Sequence, residues 1–198
     1  MKSIGLKCAV RIKKYRSYKG TVGKIAPNLL NRNFIAEHPN QKWVTDITEI
    51  QIHGHKIYFS PIIDLFNREV ISYRISNRPV YSLVDDMLTD ALSRLSDGSN
   101  LILHSDQGWH YQMPQYRKRL QAKGIQQSMS RKGNCLDNAV VENFFGIMKS
   151  ELLYLRFFYS KEHFISELEK YIHYYNNNRI KISLSNLSPV EYRCMHAA

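Results

Sequence analysis

Long apolar runs, paired cysteines and phosphate-cradling glycine motifs are all missing from this 198-residue chain. No uninterrupted apolar stretch approaches the roughly 18–20 residues that cross a bilayer, and the basic N-terminus has no apolar segment behind it. The sequence therefore predicts a soluble, unexported protein. Cysteine is scarce: Cys8, Cys135 and Cys194 are odd in number, far apart and without a C-x-x-C pair. That excludes a disulfide framework and a structural zinc site, and it fits a reducing cytoplasm. His53 and His55 flank an expected turn and have no cysteine pair at finger spacing. No G-x-x-x-x-G-K-S/T run occurs, which argues against P-loop nucleotide chemistry.

Acidic residues are also missing from the first 35 positions, which hold nine Lys or Arg and so carry +9 of the total +11. The remaining 163 residues are nearly neutral, at +2. A basic, Gly- and Tyr-dotted arm on a neutral body is the footprint of a polyanion, because each phosphate neutralised releases a counterion. Nucleic acid is the leading partner; the plainer alternative is a solvated tail without a specific partner. The arm has no amphipathic apolar face, which weighs against a membrane surface.

What is present is a globular core, with 43% hydrophobic residues. Residues 1–37 read as a basic arm or linker and residues 38–198 as one domain. From Lys42, the apolar residues Trp43, Val44, Ile47, Ile50 and Ile52 predict a first strand, and His53-Gly54-His55 a turn. Ile57 to Ile63 form a second strand and Glu69 to Ser76 a third, as antiparallel neighbours. Leu83, Met87, Leu88, Ala91, Leu92 and Leu95 recur at helical spacing until Asp97-Gly98 stops them. Leu101-Ile102-Leu103 is a short buried strand of the parallel type. A helix over about 114–123, a strand over 125–129, a helix capped by Asp137 and running to Leu153, and a helix from Lys161 to Tyr175 complete the order. The pattern predicts an α/β fold: a mixed sheet, three antiparallel strands then parallel ones, with helices on both faces.

Among the 17 acidic residues, position selects three. Asp46 sits in an apolar strand, where an unpaired carboxylate is costly to bury. Asp106 follows an apolar strand at its C-terminal end, where ligands gather in open α/β sheets. Glu142 falls in the first turns of a helix, on the same face as Lys149. If the first and fourth strands are neighbours, these three carboxylates converge, and an all-oxygen set suits Mg²⁺ or Mn²⁺. Two such ions support in-line phosphoryl displacement. The alternative stays open at this point: Asp46 hydrogen-bonded in the core, Asp106 capping a turn and Glu142 solvated.

The wording around them is specific. Trp43-Val44-Thr45-Asp46-Ile47-Thr48, His104-Ser105-Asp106-Gln107-Gly108, and Ser128 to Cys135 leading into Asp137-Asn138-Ala139-Val140-Val141-Glu142-Asn143-Phe144-Phe145 closely resemble the integrase catalytic core of bacterial insertion-sequence transposases. These are OrfB-type, DDE-class enzymes related to retroviral integrases. The 35 residues between Asp106 and Glu142 match the D,D(35)E spacing of that group. Tyr174-Tyr175-Asn176-Asn177-Asn178-Arg179 and Leu187 to Tyr192 resemble the family's C-terminal end, so the likeness spans about residues 38–193. It implies a ribonuclease H-like fold, Asp46, Asp106 and Glu142 as metal-binding catalytic triad, and Mg²⁺ as cofactor, with Mn²⁺ as substitute and two ions when DNA is bound. It also implies hydrolysis at the element's ends to free a 3′-hydroxyl, which attacks target DNA by transesterification without a nucleotide cofactor. The partners implied are element ends and target DNA, and other copies of the chain.

Residues 107–136 hold six basic residues and no acid: Arg117, Lys118, Arg119, Lys123, Arg131 and Lys132. With Lys149 they are the candidates for phosphate contact, against the plainer reading of solvated helix faces. His104 reads as a buried core histidine, and Trp109 and Tyr111 as packing residues or stacking platforms for a frayed base. Asp64 is assigned structural hydrogen bonds and Asp137 a helix cap. Members of the family usually carry a helix-turn-helix segment upstream of the core, which here begins about 40 residues into the sequence. The expectation is that end recognition is incomplete here, either because the reading frame is shortened or internally started or because another polypeptide supplies the specificity element. A rival reading is a catalytically idle, shortened DNA-binding regulator of transposition, and a third is a structure-selective nuclease of the same fold.

Overall fold

The computed structural model describes residues 23–95 and 100–196. Most of the basic arm and the Asp97-Gly98 stop lie outside the described residues. The strands are β1 (Lys42–Thr45), β2 (Thr48–Ile52), β3 (His55–Asp64), β4 (Val70–Ser76), β5 (Ile102–Ser105) and β6 (Gln126–Met129). The helices are α1 (Tyr81–Leu92), α2 (Trp109–Gln112), α3 (Pro114–Ala122), α4 (Ala139–Met148), α5 (Lys161–Asn177) and α6 (Pro189–His196). Among the described residues no helix is long and apolar enough to cross a membrane.

The first expected strand is divided, and Asp46 lies in the gap rather than in mid-strand. Thr45 faces Ile62 and Thr48 faces Phe59, so β1 and β2 follow one register along β3, and Asp46 falls opposite Pro61. Thr45 Oγ1 donates to the Pro61 carbonyl at 2.8 Å, which shows that Pro61 turns its backbone polar side toward β1 and β2. Proline has no N–H for that ladder. The pairing lapses there, and the strand is free to bend at Asp46.

β4 flanks β3 on the other side, and β1 runs parallel to β5, which runs parallel to β6. His53 and Gly54 both have positive φ, as a two-residue hairpin turn requires. Buried side chains form one cluster on each sheet face. On one face α4 and α5 bring Phe144, Met148, Phe164, Leu168 and Tyr175 onto Phe59 and Ile63. On the other, α1 and α3 bring Val84, Met87, Leu88, Tyr116 and Leu120 onto Trp43 and Leu103. Burying each such side chain contributes about 1.5–3 kcal/mol, and β3, covered on both faces, has no polar stripe over its last six residues apart from Ser60 and Asp64.

Residues 23–37, grouped with the arm by their charge, lie along the core. Met129 N–H donates to the Pro27 carbonyl at 3.2 Å, Leu29 N–H to Ser128 Oγ at 2.9 Å, and Leu30 is buried. At the opposite edge, the Asn176 amide pairs with Val70 of β4, accepting from its N–H at 2.9 Å and donating to its carbonyl at 3.0 Å. Asp137 is not a helix cap. It sits in a 3₁₀ turn, Cys135–Asn138, and α4 has no side-chain cap. Its fully buried carboxylate binds Arg131 and Arg32. Asp64 does make the expected structural bonds, accepting from Asn40 and Phe66 N–H groups and facing Arg193.

Candidate active site

Val44 pairs with His104 across the parallel β1–β5 ladder, so the same two-residue step carries each strand on to Asp46 and Asp106. Both aspartates therefore emerge at the C-terminal ends of adjacent parallel strands. Each carboxylate is held by a backbone amide just beyond it: Ile47 N–H donates to Asp46 at 2.7 Å and Gly108 N–H to Asp106 at 2.8 Å. Together they line a cleft of about 300 Å³ whose walls include Ile47, Tyr58, Trp109 and His110. α4 packs on β1 from one face and carries Glu142 in its first turn.

The electrostatics tie the three acids together. Burial, then the negative charges of Asp106 and Glu142, push the Asp46 carboxyl well above the usual range, against the Ile47 amide and the positive charge of Lys149. Burial raises Asp106, and burial and the Asp106 charge raise Glu142. Three buried or half-buried acids, two of them pushed further up by a neighbouring carboxylate, form a site short of positive charge. Among the described residues no three His, Cys, Asp or Glu side chains are already gathered around one ion position; the aspartates are turned to their own backbone amides.

Gly108 is where a side chain does not fit. A Cβ there meets Asp106 Oδ1 at 2.9 Å, and the short aspartate side chain is what must yield. Gly108→Ala is expected to leave the melting temperature nearly unchanged but to weaken divalent-cation binding, followed by calorimetry, about ten- to a hundredfold, the usual cost of disturbing a group that orients a ligand. Cation affinity equal to wild type would show that this carboxylate position is not used.

The neighbouring polar groups divide clearly. His104 is fully buried, its Nδ1 is 2.8 Å from Ser128 Oγ, and burial pushes its pKa down to about 4, so it is a neutral core residue. Tyr111 is buried and Trp109 stacks on His110 at 3.8 Å; only Trp109 of that pair borders the cleft in a partly exposed position. The loop carrying Arg131 and Lys132 is fastened beside Asp106, since Ser130 N–H donates to the Ser105 carbonyl and the Gln107 amide donates to the Ser130 carbonyl. Arg131 is engaged by Asp137, while Lys132 is exposed. On α3, Arg119 is paired with Asp85 of α1 at 2.6 Å, Arg117 buries an unpartnered Nε, and Lys118 and Lys123 are exposed. The α2 turn and the Asp46 gap were not legible as site features, because both depend on packing against distant strands.

Comparison with known proteins agrees with this architecture. The Integrase core domain family matches residues 36–135, and a second family of the same description matches residues 142–196. InsK of insertion sequence element IS150 in Escherichia coli (strain K12) is 53% identical over 98% of this chain and 68% of its own length. A transposase-like protein of Haemophilus influenzae is 51% identical over 98% of this chain and 89% of its length. The transposase of IS904 from Lactococcus lactis is 35% identical over 90% and 72%. Among solved structures, the HTLV-2 integrase catalytic core domain in complex with magnesium superposes with a TM-score of 0.60 at 17% identity, covering 78% of this chain and 97% of that one. The BIV integrase core gives 0.59 at 16%, over 79% and 95%. The sheet order and flanking helices are thus those of the ribonuclease H-like integrase cores, and the chain belongs to the integrase-core family of DDE-type insertion-sequence transposases.

Proposed function

We propose that this chain cleaves DNA at the ends of an insertion element and joins the freed 3′-hydroxyl to target DNA, with Asp46, Asp106 and Glu142 as its catalytic carboxylates. The observation that carries this reading is the placement of Asp46 and Asp106 side by side in one cleft, within electrostatic reach of Glu142. The donor set suits a hard divalent cation: it is all oxygen, His104 is turned away into the core, and burial raises all three carboxyls, with the Asp106 charge adding to the rise at Asp46 and Glu142. Asp46, Asp106 and Glu142 would hold Mg²⁺ or Mn²⁺, which supplies Lewis-acid activation of the attacking oxygen and stabilises the leaving oxygen.

The protein's own residues have simpler tasks. The Ile47 and Gly108 amides orient the two aspartates. Lys149, whose charge acts on Asp46, offsets the negative charge that a phosphodiester brings to the cleft. In the first reaction water displaces a 3′-oxygen from phosphorus at the element's end; in the second that 3′-hydroxyl displaces another 3′-oxygen in target DNA. One phosphodiester is exchanged for another in the second step, so no nucleotide cofactor is consumed. Lys118, Lys123 and Lys132 are the basic residues best exposed for backbone phosphates, which position DNA without reading its sequence. Multimerisation, recognition of element ends through residues 1–37 or another polypeptide, and the catalytic body over 38–198 belong to the same proposal.

The test is joining of branched DNA oligonucleotides by the full chain in Mg²⁺ or Mn²⁺. Wild type is expected to join strands and Glu142→Gln to lose about 10²–10³-fold, the size of losing one preorganised electrostatic group, while still binding DNA. A folded wild type that binds DNA without joining it in either metal would overturn the catalytic reading in favour of a regulatory one.

A further inference from the structure

A second cavity, of about 260 Å³, opens beside α4 on the face away from α1, between Ile63, Phe144, Tyr175, Asn143, Arg68 and Lys181. Among the described residues no carboxylate lines it. Arg68 enters from the β3–β4 turn with a positive φ of 63°, a conformation uncommon outside glycine and a mark of positions held for use. Its Nη1 is buried without a hydrogen-bond partner, and its Nη2 has only a long contact, 3.4 Å, to the Phe34 carbonyl. Lys181 Nζ lies 4.4 Å from the centre of the Tyr175 ring.

The acid whose charge acts on Lys181 is Glu151, and it is already taken. Arg179 grips it with both Nε and Nη2, at 2.5–3.0 Å, and Tyr171 donates to it at 2.9 Å. Asp64, whose charge acts on Arg68, is likewise held by the Asn40 and Phe66 N–H groups and faces Arg193. Two cations thus face one cavity whose lining, among the described residues, holds no anion, and burial with the charges of Arg179 and Arg68 pushes the Lys181 ammonium down to about 8. Asn143 and Ser183, exposed at the mouth, add neutral donors. The volume falls below the roughly 300–1,000 Å³ of pockets for drug-sized ligands, so it fits a compact anion rather than a whole nucleotide.

We propose that the Arg68–Lys181 cavity is a phosphate site that takes one backbone phosphate of bound DNA. Guanidinium and ammonium are the two side chains suited to such a group, the first by its planar fork and the second as a point charge. Asn143 follows Glu142 directly on α4, so the site would anchor DNA on the flank of the helix that supplies the third carboxylate. This rests on DNA as the substrate and adds a contact separate from the basic residues near Asp106.

The test uses the full chain and Lys181→Met, with Arg68→Gln as a parallel variant, each checked for folding by thermal denaturation. In chloride, Lys181→Met is expected to melt no lower than wild type, because it removes a half-buried cation pressed by the charges of Arg68 and Arg179, while Glu151 stays bound by Arg179 and Tyr171. Inorganic phosphate at equal ionic strength is expected to raise the wild-type melting temperature and leave both variants unmoved. In DNA binding followed by anisotropy against KCl, each variant is expected to lower the slope of log K against log salt by about one, the signature of one lost phosphate contact. Phosphate stabilisation with an unchanged slope would assign the cavity to free phosphate and overturn the DNA contact. No phosphate effect on wild type would overturn the anion site itself. Failure of the catalytic reading appears in the joining assay alone and leaves this slope where it is.

Discussion

Asp106→Asn is expected to lose strand joining by about 10³-fold while melting higher than wild type. The loss follows from the several kcal/mol that a metal-holding carboxylate contributes to the transition state, at about 1.4 kcal/mol per factor of ten. The gain in stability follows from repulsion. Asp106 raises both Asp46 and Glu142, and a carboxyl whose folded pKa lies above its unfolded value destabilises the fold at neutral pH. Removing the charge at the centre of that trio relieves it. Adding Mg²⁺ separates this from ordinary stabilisation: wild type should gain stability with metal by mass action, about 2.7 kcal/mol at a hundredfold excess over the dissociation constant, and the variant should gain far less. An Asp106→Asn chain that melts lower than wild type and responds equally to Mg²⁺ would sink the assignment.

Asp137→Asn is expected to act in the opposite sense, on stability first. The buried carboxylate accepts from Arg131 N–H, Nε and Nη2, from Arg32 Nε, and from the Asn28 amide, at 2.7–3.0 Å. Breaking a buried ion pair costs about 3–5 kcal/mol; the arginine side chains here are 45% and 53% exposed and can rehydrate, which brings the expectation to about 3 kcal/mol. For a chain of this size that is a fall of roughly 6–12 °C in melting temperature. The arginines hold Asp137 far below its ordinary value of 3.8. Its contribution is therefore fully present above about pH 4 and lost as pH falls further. Chemical denaturation from pH 7 to pH 3 should show wild-type stability declining at the acid end and a flatter profile in the variant. Equal slopes for the two proteins would mean that Asp137 is not the group responsible.

Asp137 also marks where reading from sequence stops. A carboxylate ahead of a helix is a reasonable cap when judged locally, but its partners Arg131 and Arg32 arrive from the strand-following loop and from a segment some hundred residues earlier, respectively. Asp46 shows the same limit: its neighbours on the chain spell a strand, and only the pairing with β3 puts Pro61 opposite it and opens the gap. By contrast, the strand ending at Asp106 and the helix bearing Glu142 were legible, because short apolar runs and 3.6-residue periodicity are local signals. The Arg68–Lys181 cavity had no such signal. Its two cations are separated by most of the domain, and nothing in either stretch alone says that they share one cavity.

The sheet's two outer strands bear on how copies of this protein can meet. Edge strands expose a row of backbone donors and acceptors that can template strand addition by another molecule. Here the chain around Pro27 occupies part of the β6 edge and the Asn176 amide imitates a neighbouring strand at Val70 of β4. A second molecule that would extend the sheet at Met129 or at Val70 must first displace this chain's own segment, so strand addition at those two points competes with the fold itself.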